Sequence, residues 1–139
     1  MSTILISSES RYPVKRKTIK QVVDQFLAEQ KIKSEVEVSI AIVGDRKMAK
    51  LNKQYRGKDG TTSVLTFSQT EDQQTEDQLR RAVPFEAKFI NVPDKVMRLG
   101  DIVISYPQTV LAAAAEEKMV DQVLAEFVEH GLRNLLGLN

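Results

Sequence analysis

The chain contains no cysteine, which excludes disulfides and thiolate metal sites and leaves imidazole, carboxylate or carbonyl groups as the ligands for any bound metal. Histidine is almost as scarce, with His130 the single example. Long apolar runs are missing too. Nothing approaches the roughly 20 consecutive apolar residues that cross a bilayer. The N-terminus lacks the basic region, apolar stretch and small-residue cleavage site of a signal peptide. No membrane partner is expected, and a cytoplasmic location is. Charge of one sign is not in excess: 20 Lys and Arg face 19 Asp and Glu, for a formal net charge of +1. The overall positive field of many nucleic-acid binders is therefore absent, and only a local concentration of charge can serve such a role.

What remains is material for a globular domain. At 139 residues, with 42% hydrophobic and 28% charged side chains, the chain is long enough for one core and apolar enough to fill it. A single domain over residues 1–139 is expected.

Thr3 to Ile6 is a β-branched apolar run that predicts a first strand, and the polar, basic stretch Ser7 to Lys17 predicts a loop. Thr18 and Gln21 have the spacing of a capping box ahead of a helix from about Ile19 to Gln30, whose face carries Ile19, Val22, Val23, Phe26 and Leu27. Between Glu35 and Val43, Val36, Val38, Ile40 and Ile42 alternate with Glu37, Ser39 and Ala41, the pattern of a half-buried strand. Gly44 turns the chain, and Asp45 suits the N-cap of a second helix that ends near Arg56, with Met48, Leu51 and Tyr55 as its buried stripe. Lys58-Asp59-Gly60 reads as a turn and Val64 to Phe67 as a strand.

Gln69 to Gln78 carries T-E-D-Q twice and reads as a mobile acidic loop; Leu79 to Arg98 fits an irregular segment or a hairpin arm equally. Ile102 to Ile104 has the composition of a buried strand, and Pro107 suits the first turn of a helix through the alanines to Glu117. A last helix is predicted from Val120 to Leu136, ended by Gly137. The alternation of strands and helices predicts an α+β fold, a small mixed sheet of about four strands packed against helices.

Two groups of residues can carry chemistry. Arg46, Lys47, Lys50, Lys53, Arg56 and Lys58 crowd one helix and the turn after it. Such a strip can hold phosphates, with Arg56 offering a planar fork to two oxygens, or it can be the solvated face of an amphipathic helix. Arg11, Lys15, Arg16 and Lys17 read as a soluble loop. His130 and Asn134 lie one turn apart on the last helix, the geometry of an H-x-x-x-H metal pair; a lone histidine hydrogen-bonded near a core edge fits the same spacing.

Three motifs carry a resemblance. L-N-x-x-Y-R-x-K-D-x-x-T at Leu51 to Thr62, L-G-D-I-V-I-S at Leu99 to Ser105 and H-G-L-x-x-L-L-G at His130 to Gly137 occur in the order of the YbeY family, which the chain resembles from its first helix to its end, apart from the segment between Ser68 and Arg98. The resemblance implies a metal-dependent, single-strand-specific endoribonuclease of ribosomal RNA maturation and ribosome quality control, with ribosomal RNA and the small ribosomal subunit as partners. It implies Zn2+ held by three histidines of an H-G-x-L-H-L-x-G-x-D-H signature. On this sequence the first histidine falls on His130, the second on Asn134, the acidic position on Asn139 and the third just beyond it. Ser63 stands where the family's T-D-V-L-S-F has a carboxylate, and Arg56 is the family arginine, implied to stabilise the phosphate as His130 and metal-activated water act. Two further readings are an RNA- or ribosome-binding factor lacking a complete zinc site and a metal-dependent peptidase, the latter without an H-E-x-x-H to support it.

Overall fold

The computed structural model describes residues 2–9, 11–68 and 96–138, and the acidic stretch 69–78 lies outside them. Four strands and four helices form among these residues: β1 (Ser2–Ser8), α1 (Arg16–Glu29), β2 (Val36–Val43), α2 (Asp45–Arg56), β3 (Val64–Ser68), β4 (Met97–Ser105), α3 (Tyr106–Glu116) and α4 (Val120–Leu136). The sheet order is β1-β2-β4-β3. β1 and β4 run parallel to β2, and β3 joins the edge of β4 antiparallel. The mixed four-stranded α+β sheet expected from the alternating pattern is what forms.

Alternation in β2 decides the two faces of the sheet. Val36, Val38, Ile40 and Ile42 are buried with Leu99, Ile102 and Ile104 of β4 against Ile19, Val23, Phe26 and Leu27 of α1 and Leu124, Val128 and Leu132 of α4. Fully burying each such aliphatic side chain contributes roughly 1.5–3 kcal/mol, so this layer holds most of the fold. On the opposite face a smaller cluster, Val43, Met48, Leu65 and Val103, seats α2.

Leu99 and Ile102 have opposite parity, yet both face the larger core. The reason is a bulge: Glu37 pairs with Arg98 while Val38 pairs with Gly100, so Leu99 is the extra residue. Gly100 has φ +134°, and a Cβ there would run into the Phe67 carbonyl. Glycine is therefore required where β3 approaches the bulged strand.

Several boundaries differ from expectation. β1 reaches Ser8 and α1 begins at Arg16, which trims the predicted loop at both ends and places Thr18 inside the first turn; Lys15 is the N-cap, without a side-chain cap. Tertiary contacts account for the extension. Arg16 Nη1 donates to the Ile6 carbonyl at 2.6 Å and Lys15 pairs with Asp121 of α4 at 3.3 Å. Arg11 lies over the Tyr12 ring and beside Glu9, so this basic cluster ties the first strand to the helices. β4 starts at Met97, five residues before the predicted Ile102, because pairing with β2 continues past the bulge.

α4 spans the predicted Val120–Leu136, and Gly137 caps it with φ +72°. Gly131 is buried where the helix crosses β4, and a Cβ on it would lie 2.7 Å from Cγ2 and 2.9 Å from Cδ1 of Ile102. The missing side chain lets α4 settle onto the sheet. Gly131→Ala is expected to lower unfolding free energy in urea by about 1–3 kcal/mol through overpacking, and Gly131→Ala with Ile102→Ala, which removes every contacting carbon, is expected to cost less than the two single changes added together; an unchanged midpoint for Gly131→Ala would show that the helix is not held at this distance.

Candidate functional site

A cleft of about 1240 Å³ opens around β3. One wall is α2, through Lys47, Leu51, Tyr55 and Arg56; the floor is Thr62 to Ser68 with Ser39, Ala41, Asp101 and Val103 of the neighbouring strands; the other wall is α4, through Glu126, Phe127, His130 and Asn134. The volume exceeds the roughly 300–1,000 Å³ of small-molecule pockets. All three sequence motifs, spread from Leu51 to Gly137, contribute side chains to this one cavity.

α2 is lightly held by apolar burial, since Met48 and Asn52 are its fully buried residues. Its entry is fixed by a polar knot. Gly44, not Asp45, is the N-cap; Asp45 is the first helical residue, and its side chain turns away from its own helix. The Asp45 carboxylate accepts hydrogen bonds from Ser105 Oγ at 2.8 Å, Thr61 Oγ1 at 3.0 Å and Gln108 Nε2 at 3.3 Å. Ser105 in turn caps α3 by accepting from the Gln108 amide. Burial of Asp45 works to raise its pKa, but the hydrogen bonds from Ser105, Thr61 and Gln108 outweigh it and hold the carboxyl below its ordinary 3.8. At the other end of α2, Asn52 Nδ2 donates to the Gly60 carbonyl at 3.0 Å and pins the turn before β3.

The predicted basic strip divides. Arg56 lines the cleft, as does Lys47, whereas Arg46, Lys50, Lys53 and Lys58 are not among its lining residues. Lys53 pairs with Asp59 at 2.9 Å. Tyr55, expected in the buried stripe with Met48 and Leu51, is 59% exposed; α2 projects its last turn beyond the small second cluster, leaving this ring at the cleft mouth. Asp45 was read from sequence only as a helix cap, and Asn52 and Asp101 only as members of their motifs. Asn52 carried a readable signal, a polar residue four positions after Met48 and so on the same helix face.

His130 and Asn134 share a face of α4 and both reach the cleft, as their spacing predicts. Both are exposed. Their donor set is one imidazole and one neutral carboxamide. The acids on α4 do not extend it: Glu126 pairs with Lys118 at 3.0 Å and Glu129 with Arg133 at 3.5 Å. Among the described residues no group of three or more His, Asp or Glu is placed to hold a metal ion. These residues do not fit a three-imidazole zinc site. No helix among them is long and apolar enough to cross a membrane.

Comparison with known proteins agrees with the motifs. The family model for endoribonuclease YbeY matches residues 6–139. Curated relatives named endoribonuclease YbeY include one from Roseiflexus sp. (strain RS-1), 34% identical over 119 residues, covering 86% of this chain and 66% of the relative. The chain thus spans just under two thirds of that protein's length. The Dehalococcoides mccartyi (strain CBDB1) relative is 31% identical over 134 residues, covering 96% of this chain and 77% of the relative. That from Moorella thermoacetica is 31% identical over 140 residues, covering 99% and 83%. The fold is similar to the solution structure of TM1509 from Thermotoga maritima, with a TM-score of 0.57 and 21% identity over 99% of this chain and 74% of that one.

The Asp45 knot makes a pH-dependent prediction. A carboxyl whose folded pKa lies below its unfolded value stabilises the fold fully above the unfolded value, and that contribution is lost as pH falls below 3.8 toward the folded pKa. Asp45→Asn is expected to cost about 1–3 kcal/mol at neutral pH, with the gap to the wild type narrowing in urea titrations as pH drops below 3.8. A gap independent of pH would contradict the assignment.

Proposed function

Because the chain belongs to the YbeY family, we propose that it is an endoribonuclease that takes single-stranded ribosomal RNA into the β3 cleft and cuts its phosphodiester backbone during ribosomal RNA maturation. The observation that carries this reading is the meeting of all three motifs, with Arg56 and His130 among their side chains, around one open cavity. Arg56 offers a charged fork to two phosphate oxygens and offsets the charge that builds there as the bond breaks. Lys47 adds a second positive charge to the same wall. His130 presents an imidazole, the side chain best suited to proton transfer at an attacking or leaving oxygen. In the family pattern His130 would be one of three zinc ligands and the ion would activate water; the described residues do not complete that set, and in the proposed reaction water attacks phosphorus while His130 takes its proton and returns it to the departing ribose oxygen. Ribosomal RNA as substrate carries with it the small ribosomal subunit as partner and the cytoplasm as location.

Asn134 supports a second reading, an RNA- or ribosome-binding member without hydrolysis, because a neutral amide stands where the family pattern has an imidazole. A labelled single-stranded ribosomal RNA fragment separates the two. Under the first, the wild type cleaves it, Arg56→Ala lowers the rate by about 10²–10³ and His130→Ala abolishes cleavage. Under the second, the wild type binds in a salt-sensitive way, Lys47→Ala and Arg56→Ala each flatten the salt dependence by about 0.7 in log–log slope, and no cleavage occurs. Cleavage that survives both Arg56→Ala and His130→Ala would remove these residues from the mechanism.

A further inference from the structure

Tyr55 is an aromatic cleft residue that the phosphate chemistry leaves unused. The residue is 59% exposed at the last turn of α2, a position that leaves much of a large aromatic side chain in water. One side is held: Phe67 of β3 meets it edge-on, with ring centroids 4.9 Å apart and planes at 66°. Phe67 is itself half-buried against the cluster that seats α2. An aromatic pair of this geometry contributes about 0.5–1.5 kcal/mol beyond burial, enough to orient a ring that is otherwise free.

Positive charge stands on either side of it. Arg56 is the next residue, about 100° round the helix, and Lys47 lies eight positions earlier, about 80° round to the other side and about 12 Å along the axis at 1.5 Å per residue. Lys47, Tyr55 and Arg56 all line the cleft. The wall therefore presents cation, aromatic surface and cation in sequence. A single nucleic-acid strand presents phosphate, base face and phosphate in the same alternation, and stacking on an aromatic ring is how proteins hold bases that have left a duplex. A base inside a duplex has both faces covered by its neighbours.

Resting on the RNA reading above, we propose that Tyr55 is the stacking platform for one unpaired base, oriented by Phe67, and that it makes the cleft selective for single strands. Arg56 and Lys47 supply affinity for any phosphate backbone; Tyr55 supplies the preference for an unpaired base within it.

The test uses the full chain and three RNA probes: a short single strand, the same strand with internal bases removed, and the same sequence as a duplex. Wild-type protein is expected to bind the intact strand more tightly than the abasic strand or the duplex. Tyr55→Ala is expected to weaken binding of the intact strand by roughly 5- to 100-fold, the range for losing one stacked base, while binding the abasic strand as the wild type does. Tyr55→Phe keeps the ring and is expected to restore the preference. An unchanged thermal midpoint in Tyr55→Ala would separate lost stacking from lost structure. Equal affinity of wild type and Tyr55→Ala for the intact strand overturns the stacking role while leaving the RNA reading standing. A wild type that binds no RNA at salt concentrations from low to physiological overturns both.

Discussion

The carboxylate of Asp45 sits where the pieces of the cleft begin. It accepts from Ser105 at the end of β4, from Thr61 in the segment that leads into β3, and from Gln108 in the first turn of α3, while its own backbone starts α2. Hydrogen bonds to a charged group contribute about 1.5–3 kcal/mol each, comparable to the burial of Met48 that otherwise seats the helix. α2 carries Lys47, Tyr55 and Arg56, and the Thr61 segment carries Thr62 and Ser63. A change in the charge of this one group therefore reaches most of one wall and the adjoining floor without touching any residue that faces the cavity.

The opposite wall depends on close approach. Gly131 brings α4 onto Ile102, which sets how far His130 stands from β3. Gly100 allows β3 to lie against a bulged β4. Two of the family motifs thus combine a small residue that governs distance with a polar neighbour that faces the cleft: Gly100 with Asp101, and Gly131 with His130.

Periodicity in the sequence was enough to read the α+β sheet, the parity of β2 and the full extent of α4, because each depends on a face buried against a large core. It was less informative where few contacts decide the outcome. Tyr55 has the spacing of a core residue, but the second cluster is too small to cover the last turn of α2, and the ring emerges. Asp45 has the identity of an N-cap, yet three donors brought from distant parts of the chain draw its side chain away. The basic strip looked uniform because spacing alone cannot say which of its side chains reach the cavity; Lys47 and Arg56 line it, and Lys53 is paired with Asp59. Thr18 resembles a cap, but the contacts of Lys15 and Arg16 start the helix earlier. Position Asn134 was legible as a departure from the family pattern, and the fold places it beside His130 on the same cavity.

The most direct measurement of this cleft as an RNA site is a map of amide shifts as unlabelled single-stranded RNA is added to isotope-labelled protein. Shifts are expected along the Lys47 and Tyr55–Arg56 flank of α2, through Ser63 to Phe67, and on α4 at His130 and Asn134, with the exposed Leu111 and Met119 unmoved. Shifts centred on α3 and Met119, with the β3 cleft silent, would contradict the proposal that this protein meets RNA in the cleft.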